Sequence, residues 1–247
     1  CTARENVIHH NNQHGIHING DPNSGGDGII SGALIEKNKI YRNGRNGGSA
    51  INMTFVQDSV VKNNLCYDNY AGGIVVYRDT HKARDKYSSG IKILHNTVYF
   101  EDNEGRWACA VQRQSRDMTV LNNVFFGGRY GAYGVWPNSR DGLTSDHNLV
   151  YNHDGQRVVG DSDYNKYYSV EDWQDAGYGK HSAFTRPRFT APRADTFRLQ
   201  PGGPGATLAT PVDEVSEDID GRRRPRTDIT AGCFEVMAPL PPLMPFR

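Results

Sequence analysis

The stretch NLCYDN (residues 64–69) recurs in altered form as NVIHHN (6–11), NKIYRN (38–43), NTVYFE (96–101), NVFFGG (123–128) and NLVYNH (148–153). Each version opens with asparagine and has an apolar residue two positions later, and the first three carry another asparagine five residues on. The opening asparagines follow one another at intervals of 25 to 32 residues. Such intervals are typical of proteins in which one supersecondary unit stacks on the next. The sequence therefore predicts a repeat protein.

Two short strands can be placed around each opening asparagine. The first is an apolar run just before it: Leu34-Ile35, Val60-Val61, Ile93-Leu94 and Val120-Leu121. The second comes later and opens with a small residue: GIHI (15–18), AINM (50–53), GIVV (73–76), ACAV (108–111) and AYGV (132–135). Helical repeats are disfavoured, because Val, Ile, Thr, Tyr and Asn are poor helix formers. We predict an all-β fold, a right-handed parallel β-helix.

Asparagine suits the corner after the first strand, since it tolerates the left-handed backbone region and its amide bonds to nearby backbone groups. In stacked coils these amides would align into a ladder. With this pattern the chain resembles the bacterial right-handed parallel β-helix proteins of pectate-lyase-like architecture, over residues 1–157. The stretches TFRLQPGGPGA (196–206) and DIDGRRRPRTDITAGCFE (218–235) resemble the closing segment of many secreted members. The resemblance implies a secreted or cell-surface protein.

The chain divides into coils at 1–157, a closing segment at 158–236 and a proline-rich tail at 237–247. Within the closing segment, SVEDWQDA (169–176) has an N-cap serine, an acidic residue three positions on and a following glycine, which predicts a short helix. Since Asn6 already stands at the ladder position, we expect further coils or a cap ahead of Cys1.

Charge and hydropathy exclude several partners. Lysine and arginine together number 28, as do aspartate and glutamate, so nothing global favours nucleic acid, and RRRPR (222–226) is interpreted as a solvated turn. No apolar run is long enough to span a membrane. We expect a monomer. Cys66 and Cys109 take inward positions and are expected to be small buried hydrophobes without disulfides.

Aligning the second strands separates an inner from an outer face, because side chains of a strand alternate. The inward columns are apolar: Ile16, Ile51, Ile74, Cys109, Tyr133, and Ile18, Met53, Val76, Val111, Val135. The outward columns are mixed: His17, Asn52, Val75, Ala110, Gly134, and Asn19, Thr54, Tyr77, Gln112, Trp136. Arg78 and Arg113 follow on neighbouring coils. Such a strip is either a groove for a sugar chain bearing carboxylates or an ordinary solvated face.

From this strip we predict that His17, Asn52, Arg78, Gln112 and Trp136 bind an acidic polysaccharide. The insertion RDTHKARDKYSS (78–89) adds titratable groups beside it. In lyases of the architecture that the chain resembles, a basic residue or tyrosine abstracts the proton next to a uronate carboxylate, while a cation or polar side chains neutralise that carboxylate. The candidates for these roles are Tyr77, His81, Lys82 and Arg113, and no motif decides among them.

Metal sites are more weakly indicated. GDPNSGGDG (20–28) supplies Asp21 and Asp27 and loosely resembles a calcium loop, so it is interpreted either as a Ca²⁺ site or as a glycine-rich turn. Among the clustered histidines only His14 and His17 could share a face. His95 and His147 precede ladder asparagines and are expected to be structural.

Two functional interpretations stay open. The first is a polysaccharide lyase acting by β-elimination on a uronate-containing polymer. The second is a non-catalytic polysaccharide-binding or adhesive module with the same groove. Glycoside hydrolysis is less favoured, because it needs converging carboxylates and the outward columns contain none.

Overall fold

Three sheets of stacked parallel strands make up most of the protein, whose computed structural model describes residues 1–23, 25–79, 85–101, 105–161, 166–192 and 196–236. Sheet 1 contains Thr2–Arg4, Leu34–Glu36, Val60–Lys62, Lys92–Leu94, Thr119–Leu121 and Thr144–Asp146. Sheet 2 contains Val7–His9, Lys39–Tyr41, Leu65–Tyr67, Thr97–Tyr99, Val124–Phe126 and Leu149–Tyr151. Sheet 3 contains Ile16–Asn19, Ser49–Thr54, Gly72–Tyr77, Trp107–Val111, Gly131–Val135 and Val159–Gly160, with Tyr167–Tyr168 added antiparallel.

Successive strands come from successive coils, so the chain is a parallel β-helix, as the repeat predicts. The register of sheet 3 pairs Ile51 with Ile74 and Ile74 with Cys109, which is the inward column expected from the sequence. Its members fill one continuous core. The small residue that opens each strand also faces inward: a Cβ added to Gly73 would meet the carbonyl oxygen of Ala108 at 2.1 Å. Close packing therefore requires glycine at position 73, whereas Ala50, Ala108 and Ala132 fit the core at the equivalent positions.

The asparagine ladder forms as predicted. Each ladder amide donates to the side-chain oxygen of the next, and Asn64 Nδ2 lies 2.9 Å from Asn96 Oδ1. A second, shorter ladder joins Asn11, Asn43 and Asn69. One expectation is wrong: the ladder asparagines do not take the left-handed conformation. That conformation falls on the residue before each of them, namely Glu5, Lys37, Asn63, His95, Asn122 and His147. Because the asparagine sits one position later, its amide can turn into the stack.

The closing segment covers the solenoid on two sides. A helix at Val170–Asp175 begins after the N-cap Ser169, whose hydroxyl accepts from the amide of Asp172 as the sequence predicts. The antiparallel pair Phe189–Ala191 and Thr196–Leu199 places Phe197 against Tyr67 and Tyr99 on the outer face of sheet 2. Three smaller elements complete the described part: a 3₁₀ turn at Pro137–Ser139 and a parallel pair formed by Ile30–Ser31 and Val56–Gln57.

Residues 208–217, which we call the strap, run back toward the first coils. They follow the column of left-handed residues that precede the ladder asparagines, which we call the corner column. Their partners occur coil by coil in reverse order: His147 contacts Leu208, Asn122 contacts Thr210, Lys92 and Lys62 contact Glu214, and Lys37 contacts Glu217. The strap therefore ties together coils that are not neighbours.

The arginine run after the strap differs from the expectation of a solvated turn. Arg222, Arg223 and Arg226 are exposed, but Arg224 is only 6% exposed. Its guanidinium pairs with Glu235 at 2.9 Å and donates to Asn63 Oδ1 at 3.0 Å. A buried arginine needs such partners, because an unpaired buried charge is costly.

The cysteines match the sequence-based expectation. Cys66 and Cys109 are buried in the core and form no disulfide, and burial raises the pKa of both thiols. None of the helices in the described ranges is long and apolar enough to cross a membrane.

Candidate functional site

A cleft of about 320 Å³ opens on the outer face of sheet 3. Strands from three consecutive coils form its floor, so its side chains are held by the rigid part of the fold. The lining consists of His14, Gly47, Ser49, Asn52, Gly72, Val75, Tyr77, Arg106, Trp107, Ala110, Gln112 and Arg113. None of these described lining residues is aspartate or glutamate, whereas two are arginine. The cleft is therefore electropositive, although the chain as a whole has no net charge.

Arg113 is the most tightly framed of the cleft residues. Its guanidinium carbon lies 5.7 Å from the ring centre of Tyr77 and 5.9 Å from that of Trp136, so the cation is flanked by aromatic rings from the two neighbouring coils. Within the described ranges no carboxylate forms a salt bridge with it. A guanidinium held this way keeps its planar set of N–H donors available for an anion.

The backbone at Arg113 is unusual as well. Arg113 and the next residue, Gln114, both have left-handed φ values, 54° and 64°. The other left-handed residues of the described coils that are not glycine occur singly. Two in succession cost free energy that the surrounding structure must supply, and such strain is common where a side chain is aimed at a ligand.

Histidines lie at the edge of the cleft nearest the first coil. The rings of His14 and His17 are 4.4 Å apart, so these two do share a face as the sequence suggests. Burial, and then the charge of His17, lowers the pKa of His14. His14 Nδ1 accepts from the amide of Ser49 at 2.9 Å, so the neutral ring carries its proton on Nε2. His14 is thus a hydrogen-bond donor toward the cleft and not a base.

The family follows from comparison with known sequences. A family model described as "Right handed beta helix region" matches residues 1–169, which is more than half of the chain. The chain belongs to the right-handed β-helix family. This family membership, with the parallel sheets, confirms the fold class predicted from the repeat.

Other comparisons add little to this assignment of the β-helix. No curated protein sequence matches it. Among solved structures, a mutant of the periplasmic alginate epimerase AlgG is similar at 16% sequence identity and a TM-score of 0.39. The match covers 74% of this chain and 36% of that one, so the β-helix described above spans about a third of that protein's length.

Four of the eleven predicted site residues lie in the lining of the cleft. Asn52, Tyr77, Gln112 and Arg113 line it. The Asn52 amide lies 3.4 Å from the hydroxyl of Tyr77, so the two side chains meet across adjacent coils. Two further predicted residues contact the lining: Trp136 contacts Arg113, and His17 contacts His14. Arg78 is not a lining residue. His81 and Lys82 fall outside the described residues.

The predicted metal ligands Asp21 and Asp27 are not among the lining residues of this cleft. Asp21 accepts from the amide of Asn23 and Asp27 from that of Ile29, both at 2.9 Å, so each carboxylate caps a local turn. The ammonium of Lys86 donates to the carbonyl of Asp27. A lysine at that position competes with a cation for the loop oxygens. The glycine-rich-turn interpretation accounts for these contacts without a metal.

Sequence reasoning missed Ser49, Arg106 and Trp107 in the cleft. Strict alternation from Ile51 assigns Ser49 to the interior, but Ala50 and Ile51 both face the core. Because two successive residues face the core, the residue before them faces outward. Ser49 and Trp107 occupy this position and line the cleft. The small residue that opens every strand was the signal, since it marks a sharp corner.

A larger cavity, about 820 Å³, lies among the turns of the closing segment. Its charged lining includes Arg224 and Glu235, which already bond to each other at 2.9 Å. Thr230 satisfies the second oxygen of Glu235 at 2.8 Å. Because these polar groups serve the fold, the cavity offers a ligand less than the cleft of sheet 3 does.

Proposed function

We propose that this β-helix binds a uronate-containing polysaccharide in the cleft of sheet 3 and cleaves it by β-elimination. The observation that carries the proposal is that the described lining holds two arginines and no carboxylate, with Arg113 held between Tyr77 and Trp136. An elongated sugar fits a cleft that crosses several coils, and aromatic rings and amides suit its apolar and hydroxyl faces.

Arg113 would bind the uronate carboxylate. Guanidinium and carboxylate match in shape and form paired hydrogen bonds, which are stronger than neutral ones. Arg106, at the other end of the lining, would bind a second carboxylate of the chain. The neutral His14 would donate from Nε2 to a hydroxyl or ring oxygen. These contacts favour acidic over neutral glycans.

The elimination step needs a base, an acid and a neutralised carboxylate. The base removes the proton from the carbon next to the carboxylate, and its electron pair forms a carbon–carbon double bond. The neighbouring glycosidic C–O bond breaks, and the leaving oxygen takes a proton. In this proposal Arg113 stabilises the charge on the carboxylate and Tyr77 gives its proton to the leaving oxygen. His81 or Lys82, on the insertion that follows Tyr77 in sequence, serves as the base.

The direct test is ultraviolet absorbance of the unsaturated uronate, which only elimination produces. The protein would be offered alginate, pectate, hyaluronan, chondroitin, heparan and ulvan, with and without calcium. We expect one polymer to give a rising signal that Tyr77→Phe and Arg113→Ala abolish. Binding to the same polymer should survive Tyr77→Phe.

Binding without any absorbance change would instead support the non-catalytic module. Hydrolysis is not favoured by the cleft, because the described lining lacks the carboxylate pair that it requires. If neither binding nor turnover occurs with any acidic polymer, the proposal is wrong.

A further inference from the structure

A second cluster of chemically active side chains lies far along the chain from the cleft residues, at the last complete coil. Asp146 ends the last strand of sheet 1, His147 occupies the left-handed corner, and His181 comes from the closing segment. One ligand atom from each residue lies within 4.8 Å of those of the other two. Within the described ranges this is the one group of three or more His, Cys, Asp or Glu side chains arranged this way.

The three side chains come together because residues 179–183 of the closing segment pair with the last coil as a further coil would. The amide of Gly179 donates to the carbonyl of Ser145, and the amide of Ala183 donates to that of Asn148. These parallel contacts place residue 181 above residue 147, one coil further on. The imidazoles of His147 and His181 therefore stack, with ring centres 5.0 Å apart and planes inclined by only 12°.

Hydrogen bonds fix the tautomers of both rings. His147 Nδ1 lies 2.9 Å from the carbonyl oxygen of Leu208, and a carbonyl can only accept, so this nitrogen carries the proton. His181 Nδ1 lies 2.6 Å from Asp146 Oδ2, which also accepts. In each neutral ring Nε2 keeps its lone pair. For His147 the carbonyl of Leu208 is the support on the far nitrogen that metal-bound histidines usually have. The hydrogen bond from His181 to Asp146 is instead given up when both side chains bind one ion.

We propose that Asp146, His147 and His181 form a binding site for a divalent transition metal of the zinc type. Two imidazoles and one carboxylate are a ligand set that suits Zn²⁺, Co²⁺ and Ni²⁺. The side chain of His181 is 68% exposed, so it has room to turn its Nε2 toward an ion held by the other two. Three protein ligands leave a coordination position for water or a further ligand.

Such a metal would join the last coil, the strap and the closing segment, since its ligands and their supports come from all three. The site is independent of the sugar cleft. A second histidine pair, His9 and His10, has its Nδ1 atoms 2.8 Å apart and is exposed, so it is the competing place for a metal. Among the described residues no carboxylate joins this pair in a group of three ligands, so it offers two.

The test is titration of the untagged full chain with Zn²⁺ alone by calorimetry, and with Co²⁺ alone by visible absorption. We expect one ion per chain. His181→Ala removes an exposed ligand and should weaken Zn²⁺ binding by more than about 100-fold, because even loss of a group that only supports a ligand costs about 10- to 100-fold. His147→Asn should weaken it similarly, and asparagine suits the left-handed corner as Asn63 and Asn122 do.

The matched control is the double variant His9→Ala, His10→Ala, which should bind Zn²⁺ as the unaltered chain does. Circular dichroism would establish that each variant is folded. Absence of Zn²⁺ and Co²⁺ binding would overturn the proposal. So would unchanged binding by His181→Ala, or loss of binding in the His9, His10 variant.

Discussion

Buried polar atoms are hydrogen-bonded in the asparagine ladder but partly unpaired beside the cleft of sheet 3. Along the ladder, Asn64 uses both amide hydrogens and its carbonyl oxygen on partners in adjoining coils. At the cleft, the indole nitrogens of Trp107 and Trp136 are buried without a hydrogen-bond partner in the described part of the protein. The side-chain polar atoms of Asn64 all have hydrogen-bond partners, whereas the two indole N–H groups beside the cleft have none.

This difference separates polar groups whose partners stabilise the fold from two buried indole nitrogens beside the cleft that have no partner among the described residues. A buried donor without a partner costs free energy, so it persists only where something else holds it in place. In the cleft the coils above and below do so. Four substitutions follow, and the first three each have a matched change elsewhere in the chain.

The largest effect is expected at the ladder. Asn64→Ala leaves the backbone carbonyl of Ile35 and the amides of Asn38 without their buried partner. Since each unsatisfied group costs about 1–3 kcal/mol, the free energy of unfolding should fall by more than about 3 kcal/mol. Urea denaturation measures it. Asn6→Ala, at the exposed end of the same ladder, should cost less than about 1 kcal/mol, and equal losses would contradict the role of burial.

Arg113 tests the cleft side of the comparison. Arg113→Ala should weaken binding of the acidic polymer by about 2 kcal/mol, roughly thirtyfold, through loss of charged hydrogen bonds. Arg113→Lys should restore only part of this, because lysine keeps the charge but not the planar pair of donors. Calorimetry or affinity electrophoresis gives the measurement.

Arg42→Ala is the control for this experiment. Arg42 also has a φ of 54° and also lies over a tyrosine, with its guanidinium carbon 5.9 Å from the ring centre of Tyr41, but it is on the sheet 2 side. Both substitutions therefore place alanine at the same φ. If they reduce polymer binding equally, the cleft is not the binding surface.

Acid should destabilise the corner column through His95. Burial, and then the charge of Arg224, lowers the pKa of His95 well below 6.5. Below pH 6.5 the unfolded chain takes up a proton that the folded chain refuses, so the free energy of unfolding falls by up to about 1.4 kcal/mol per pH unit. The contribution is fully present above pH 6.5.

His95→Asn should flatten this part of the stability profile, measured by urea denaturation across the acid range. The control is His10→Asn, because His10 is exposed and has a similar left-handed φ, 57° against 51°. It should leave the slope as it is. A slope unchanged by His95→Asn would mean that another group controls the acid response.

Trp136→Phe should have the smallest effect on stability, within about 0.5 kcal/mol by thermal denaturation, because the indole nitrogen loses no hydrogen bond. Phenylalanine still flanks Arg113. Polymer binding should weaken only a few-fold. A loss of several kcal/mol in stability would show that the indole has a structural partner.

The fold was predictable because the solenoid repeats its signals. Each ladder asparagine supports the others, and one misassigned unit changes nothing. The conformational detail was not: the left-handed residue lies one position before the asparagine, and such residues include Lys37 and His95, neither of which is typical of that region. Lys37 pairs with Glu217 of the strap, and His95 Nε2 lies 2.9 Å from the side-chain amide of Asn122. No local sequence signal indicates either contact.

The candidate site was predictable only where strict alternation holds. Tyr77, Gln112 and Asn52 follow it and were found. Ser49 and Trp107 precede two successive inward-facing residues and were missed. His181 carries no repeat signal at all, because it reaches the last coil through the closing segment, and nothing local in the sequence relates it to Asp146.

The strap has a consequence for how the chain folds. A solenoid can begin to fold at any coil and spread to its neighbours, since each coil contacts only the next. The strap cannot dock until the coils from Lys37 to His147 exist, because it touches each of them in turn. We expect its docking to be the last step of folding, and to bind the separately formed coils into one unit that unfolds all at once.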